Sequence, residues 1–187
     1  MLPIVAHLNF VLALGTILLQ LKAVLLLVTI VRVWVTKRTN AISALASRYA
    51  MLSTFVAALV ASILTLIYSD VFGFLPCGLC WFERIALYPQ VIIAGMALYV
   101  RDKVFAPMYL SGLSVIGAVI ALYHHYLQMG GSELVACPAT GVSCAQRILF
   151  EFNYITYPLM AFSLFAVIAL MFVLKAVHTR VSASLPA

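Results

Sequence analysis

The chain of 187 residues is 66% hydrophobic and carries charged side chains at only 9% of its positions, where a soluble domain carries about a quarter. This composition excludes a water-soluble globule, because too little polar surface is available to cover one, and it indicates a single membrane domain. The formal net charge of +6 comes from basic residues scattered between apolar runs, so it does not indicate a nucleic-acid-binding protein.

Charge-poor apolar runs predict five membrane-spanning helices, since about 20 apolar residues are needed to cross roughly 30 Å of hydrocarbon. The expected spans run from about residue 4 to 35 and between residues 48 and 70, 84 and 101, 103 and about 128, and 151 and 175. The first is too long for a signal peptide and lacks a basic n-region. Lys22 interrupts it, and we expect this lysine to face a helix interface or a polar cavity, or to be a functional charge.

Eight of the eleven basic residues fall in three regions, which the positive-inside rule assigns to the cytoplasm. These regions lie between the first two spans, between the third and fourth spans, and after the fifth: Arg32, Lys37, Arg38 and Arg48; Arg101 and Lys103; Lys175 and Arg180. Both cysteine pairs of the chain are then expected on the extracytoplasmic side.

The first cysteine pair is a C-x-x-C motif at the predicted start of the third span. Cys77 and Cys80 follow Pro76, and a cysteine in a first helical turn sees free N–H groups and the positive end of the helix dipole, which favour its thiolate. Arg84 lies one turn after Cys80, where it is expected to stabilise a thiolate or to bind an acceptor. The plainer alternatives are an inert disulfide and an arginine that binds lipid phosphate.

The second pair, Cys137 and Cys144, encloses six residues in the predicted loop before the last span. A structural disulfide is one interpretation in an oxidising compartment. Two disulfide-capable pairs on one side of a membrane also suit a relay, in which the loop pair meets a soluble partner and the membrane-edge pair meets something in the lipid. A zinc site of four cysteines is a third alternative.

Two adjacent histidines, His124 and His125, lie near the outer end of the fourth span, and Gln128 follows one turn later. Histidines at such a position are usually hydrated interfacial residues. Neighbouring helical side chains point about 100° apart, so at most one of the two is expected to face the third helix.

Three motifs together resemble the DsbB family and its BdbC relatives, the membrane disulfide-bond-forming oxidoreductases of bacteria. They are Pro-Cys-Gly-Leu-Cys-Trp-Phe-Glu-Arg at 76–84, Tyr-His-His-Tyr-Leu-Gln at 123–128 and Cys-Ala-Gln-Arg at 144–147. The similarity covers about residues 45–178. Vitamin K epoxide reductase-like proteins share the four-helix core and the chemistry, but they place the C-x-x-C after the loop cysteines.

The resemblance implies a four-helix membrane bundle that oxidises a DsbA-like, thioredoxin-fold partner and passes the electrons to a membrane quinone, ubiquinone or menaquinone. In that scheme the partner attacks Cys137, Cys144 passes electrons to Cys77, and Cys80 delivers them to the quinone beside Arg84. The family's histidine near the quinone corresponds to His124 or His125, depending on how the motif is aligned. The location implied is the bacterial inner membrane.

Two features depart from the family pattern. The first span is an addition to the four-helix core, and the loop cysteines are closer together than in proteobacterial members. We therefore divide the chain into an additional helix and cytoplasmic loop at 1–44, a DsbB-like core at 45–180 and a short cytoplasmic tail at 181–187. The alternatives to this function are a vitamin K epoxide reductase-like quinone reductase and a non-enzymatic membrane protein with structural disulfides or zinc.

The charge distribution makes a prediction about topology. A cysteine introduced near Lys37 or Lys103 should resist a membrane-impermeant thiol reagent in intact cells and react after the membrane is permeabilised, because both positions are expected inside. Labelling of either position in intact cells would contradict the orientation and, with it, the extracytoplasmic location of the cysteine pairs.

Overall fold

The computed structural model describes residues 3–102, 104–133 and 142–184, and these form five α-helices. The helices are α1 (Pro3–Thr36), α2 (Ala41–Leu66), α3 (Gly78–Val100), α4 (Phe105–Gln128) and α5 (Tyr157–Ser184), with one π-helical turn, Ile67–Val71, after α2. In the described part of the chain the sole β-type pairing is the isolated bridge between Glu151 and Ile155. The predicted all-α membrane fold with an additional N-terminal helix is confirmed.

Four segments are long and apolar enough to cross a membrane: α1, α2 with its π-turn, α4 and α5. The helix α3 is not among them, because Glu83 and Arg84 lie in its first two turns and shorten its charge-free part. It is nevertheless packed between α2 and α4. The third of the predicted spans therefore exists as a helix, while its crossing of the membrane stays a prediction.

Local capping explains where two of the helices begin. Asn40 caps α2 through a reciprocal pair of hydrogen bonds, in which the Ser43 N–H donates to Asn40 Oδ1 and the Asn40 N–H donates to Ser43 Oγ. The Asp102 carboxylate accepts hydrogen bonds from the first backbone N–H groups of α4. Because of the first cap, α2 starts earlier than the predicted boundary at Arg48.

The last helix differs from its predicted span at both ends. Residues 151–155 form a tight turn, in which Phe152 and Asn153 have positive φ angles, so α5 begins only at Tyr157. At its other end the helix continues past Lys175 to Ser184. The basic residues there, which were expected to mark the membrane boundary, do not end the helix.

The core of the bundle combines small residues on α2 and α3 with large residues on α5. Alanines line the contacts of α2 and α3, and large apolar side chains of α5 fill the centre: Ala50, Ala58, Ala94, Ala97, Phe165, Ile168, Met171 and Phe172. Small residues let membrane helices approach closely. On α4, a Cβ added to Gly117 would lie only 2.6 Å from the Phe165 ring, so this glycine permits the close packing of α4 on α5.

The additional helix α1 packs mainly on α5 and has little contact with α2. A buried polar contact ties it to the core, since the Tyr68 hydroxyl donates to Asn9 Oδ1 at 2.6 Å and the Tyr157 hydroxyl donates to the same oxygen at 3.4 Å.

Lys22 is exposed on α1, so the expectation that it faces a helix interface or a polar cavity is wrong. With α2 held away from α1, no helix in the described part of the chain covers this side chain.

The contact between Gly117 and Phe165 predicts a selective loss of stability. Gly117→Ala should destabilise the bundle by about 1–3 kcal/mol, because the new methyl group overlaps the ring. Gly112→Ala on the same helix is the matched control, since its Cβ would meet no atom within 4 Å. Thermal unfolding in detergent measures both variants. Equal midpoints for the two would contradict close packing at Gly117.

Candidate functional site

Cys77 is the N-cap residue of α3, at the point where the connection from α2 turns into the helix. Its backbone is extended, and its Sγ accepts a hydrogen bond of 3.2 Å from the Cys80 N–H. Both cysteines are free thiols. The C-x-x-C spacing thus places one sulfur on the exposed N–H groups of a helix start, as predicted from the sequence.

His124 joins this thiol to a carboxylate. Its Nε2 lies 3.6 Å from Cys77 Sγ, and its Nδ1 lies 2.8 Å from Glu83 Oε1. The imidazole is buried, with 1% of its side chain exposed, and the carboxylate is 13% exposed. When Cys77 is a thiolate and Glu83 is ionised, both ring nitrogens donate hydrogen bonds, so His124 is then an imidazolium held between two anions.

The pKa of the Cys77 thiol is lowered to about 4. The largest cause of this low pKa is the hydrogen bond from the Cys80 side chain; burial opposes it by raising the pKa, and the hydrogen bond and charge of His124 lower it further. The Cys80 N–H adds a smaller effect in the same direction. These contacts favour the thiolate form of Cys77, which is the form that takes part in thiol–disulfide exchange.

Cys144 lies beside this pair although it follows it by 67 positions along the chain. It is disulfide-bonded and forms a buried cluster with Cys77 and Leu127. Its backbone carbonyl lies 3.2 Å from His124 Nε2. The structure thus brings three of the four predicted cysteines together, and Cys137 lies outside the described residues.

Hydrogen bonds at the end of α4 hold the segment after Cys144 in place. The Gln128 side chain donates to the Gln146 carbonyl at 3.0 Å, and the Arg147 side chain donates to the Gln128 carbonyl. These contacts fix the Cys144 segment against the C-terminus of α4.

The predicted residues Arg84 and His125 have different surroundings. Arg84 donates to the Thr65 carbonyl at 2.9 Å and lies 5.3 Å from the centre of the Trp81 ring, so its first contacts are with α2 and an aromatic face. His125 points to the Thr156 hydroxyl at 2.8 Å, away from the thiols. Of the two histidines, His124 is the one that faces the third helix.

A cavity of about 550 Å³ adjoins the cysteine pair, which is within the range of small-molecule sites. Its polar end is formed by Cys77, Cys80, Glu83, Arg84 and His124. Its walls are mostly apolar and come from all five helices. An amphipathic molecule with a polar head and an apolar body would match this distribution.

The positions of the same thiols can be compared with the zinc site that was one alternative. Ligand atoms of Cys77, Cys80 and His124 lie within 4.8 Å of one another, a set that suits a soft metal ion. A site of four cysteine thiolates does not fit this structure, because Cys144 is disulfide-bonded.

Sequence reasoning did not assign a role to Glu83. Its position one helical turn after Cys80 was available as a signal. That signal becomes specific only with its partner His124, 41 positions away.

The hydrogen bond between the thiols predicts how the Cys77 titration responds to substitution. Cys80→Ala should raise the titration midpoint of Cys77 from about pH 4 toward the ordinary value of about 8.5, because the largest stabilising contact is lost. Cys80→Ser should raise it less, since its hydroxyl still donates a hydrogen bond. The thiolate absorbance in the ultraviolet measures both, with Cys77→Ala as the blank. Identical midpoints for the alanine and serine variants would show that this bond does not stabilise the thiolate.

Comparison with known proteins agrees with the arrangement of the site. The family described as "Disulfide bond formation protein DsbB" matches residues 47–177. The SPbeta prophage-derived disulfide bond formation protein B of Bacillus subtilis is 40% identical over 104 residues, covering 56% of this chain and 70% of that protein. Disulfide bond formation protein C of the same organism is 35% identical over 118 residues, covering 62% and 84%.

A further relative, described as a probable disulfide formation protein of Metapseudomonas resinovorans, is 32% identical over 126 residues, covering 66% of this chain and 87% of that protein. No solved structure matches the chain. The matched family region contains α3, α4 and every described residue of the thiol site, and it leaves α1 outside. The chain belongs to the DsbB family of disulfide bond formation proteins.

Proposed function

We propose that the chain reoxidises an extracytoplasmic, DsbA-like disulfide donor of the thioredoxin fold and passes the electrons to a membrane quinone. The observation that carries this proposal is the position of the free Cys77 and Cys80 thiols at the polar end of an apolar cavity between membrane helices, with contacts that favour the thiolate form of Cys77. A thiolate next to such a cavity suits electron transfer from a dithiol to an apolar, membrane-dissolved oxidant.

The relay begins at the loop pair. The partner's dithiol exchanges with the Cys137–Cys144 disulfide, so that the partner leaves as a disulfide and the loop pair is reduced. Cys144 then exchanges with the Cys77–Cys80 disulfide at Cys77, and Cys137 resolves the resulting Cys144–Cys77 disulfide, so that the loop disulfide re-forms and Cys77 and Cys80 are left as the dithiol. The buried cluster of Cys77 and Cys144 supports this second step, whereas the role of Cys137 rests on the family resemblance.

The residues at the polar end fit a quinone ring. Arg84 retains N–H donors beyond the one used on Thr65, and His124 is buried beside the thiols. Gln128 also lines the cavity, and its Oε1 is buried without a hydrogen-bond partner among the described residues. A bound quinone supplies the oxidising power, taking up two electrons and two protons as the dithiol becomes a disulfide.

Energetics favour such an oxidant. DsbA-type partners have a reduction potential of about −120 mV, and about 30 mV corresponds to roughly 1.4 kcal/mol for a two-electron couple. An ordinary protein disulfide would accept these electrons only uphill. A quinone that is continuously reoxidised by respiration keeps the relay running forward.

The arrangement of the helices supports a location in the bacterial inner membrane with both cysteine pairs outside. Cys77 precedes α3, and Cys144 lies against the end of α4. Lys37 lies in the turn between α1 and α2, and Arg101 follows the C-terminal end of α3. Both positions are at the end of the bundle opposite Cys77. The thiol site and the basic turns therefore occupy opposite ends of the bundle, as the positive-inside rule requires.

Oxidation of the partner by the purified chain tests the function. A reduced DsbA-like protein should be oxidised with stoichiometric loss of quinone, and replacing Cys77, Cys80, Cys137 or Cys144 with Ser should abolish the turnover. Metal analysis of the same preparation covers the zinc alternative. Stoichiometric zinc without quinone reduction would favour a structural metal protein, and quinone reduction without any exchange with the partner would favour a vitamin K epoxide reductase-like activity.

The position of Arg84 predicts a selective defect. Arg84→Ala should weaken the apparent affinity for quinone about ten- to a hundredfold, since a hydrogen bond from a charged group contributes roughly 1.5–3 kcal/mol. Exchange with the partner should be retained. Arg84→Lys should restore only part of the affinity, because lysine offers a point charge rather than a planar fork. Steady-state kinetics with varied quinone measure this, and an unchanged KM would assign Arg84 to lipid binding.

A further inference from the structure

The cavity beside the thiols is completed by α1, the helix that lies outside the matched family region. Four α1 residues line it, at spacings that put them on one face of the helix: Leu12, Gly15, Thr16 and Leu19. Across the cavity lies α2, with which α1 has little contact. The space between α1 and α2 is therefore bounded on one side by a helix that the family core does not contain.

The cavity is elongated along the bundle. Its lining on α2 extends from Thr65, which binds Arg84 at the polar end, to Ser53, and a helix rise of 1.5 Å per residue makes this about 18 Å. The α2 residues between them are almost all apolar, including Val56, Val60 and Leu64. A ring-sized ligand would fill only the end next to the thiols.

Gly15 leaves open space within this wall. A Cβ added to Gly15 would meet no atom within 4 Å, although the residue is half-buried and lines the cavity. The buried contact of Asn9 with Tyr68 and Tyr157 fixes α1 two turns earlier. The open space at Gly15 therefore lies on a helix whose position is fixed by this contact.

We propose that α1 forms the binding surface for the isoprenoid tail of the quinone, with the tail lying between α1 and α2 and passing Gly15. The inference rests on the proposed function and extends it to the apolar part of the oxidant. Its basis is the continuity of a long apolar cavity with the thiols, because a membrane quinone joins a polar ring to an apolar chain. In this chain α1 determines how well quinones with different tails bind.

Substitution of Gly15 tests the assignment in the full-length protein. Gly15→Leu places a side chain in the path of the tail, and Gly15→Ala is the smaller step. Gly112→Leu on α4 is the matched control, because Gly112 is exposed, has no atom within 4 Å of an added Cβ and does not line the cavity. Two quantities are measured: the quinone that co-purifies with the protein, and the KM for a decyl-tailed quinone and for a tail-less quinone with the same ring.

The expected result is a tail-dependent defect. Gly15→Leu should lose co-purifying quinone and should raise the KM for the decyl-tailed quinone about tenfold. Its KM for the tail-less quinone should stay unchanged. For Gly15→Ala, the KM for the decyl-tailed quinone should lie between the wild-type and Gly15→Leu values. Gly112→Leu should match wild type. Retention of the tail-less activity also shows that the Gly15→Leu protein is folded.

Two results would overturn the inference while leaving the proposed function intact. One is wild-type binding of the decyl-tailed quinone by Gly15→Leu, and the other is an equal loss for both quinones. A wild-type protein that reduces neither quinone would instead remove the proposed function, and the tail site with it.

Discussion

The imidazole of His124 joins α4 to two other stretches of the chain, the start of α3 and the segment before α5. It contacts Glu83 on α3, the Cys77 sulfur at the start of α3 and the Cys144 carbonyl in the segment before α5. Because the ring is buried, these contacts are poorly screened, and each partner constrains the other two. Where α4 places this side chain therefore affects the Cys77 thiolate, the Glu83 carboxylate and the Cys144 segment together.

That placement in turn depends on how α4 packs. Gly117 allows α4 to lie close against Phe165 of α5, and the same helix ends at Gln128, whose side chain holds the segment after Cys144. The bundle therefore does more than cross the membrane. It brings the C-terminal end of α4 to the N-terminal end of α3, where the helix start stabilises a thiolate and the cavity begins.

Much of the fold was predictable from the sequence because it depends on local composition. Apolar runs between charges gave all five helices, and the C-x-x-C motif before an apolar run placed Cys77 at a helix start. The boundaries were less accurate. The cap formed by Asn40 and the turn at 151–155 set the true ends of α2 and α5, and both depend on specific hydrogen bonds rather than on average hydropathy.

The sequence by itself determined a membrane-embedded helical bundle with a cysteine pair at a helix start, since span length and helix-start chemistry are properties of neighbouring residues. Only the tertiary structure decided that His124 rather than His125 meets the thiols, that Glu83 supports it, that Lys22 is exposed and that α1 lines the cavity. Each of these depends on which face of a helix meets another helix far along the chain. That choice is made by packing across the whole bundle, which no local pattern of residues encodes.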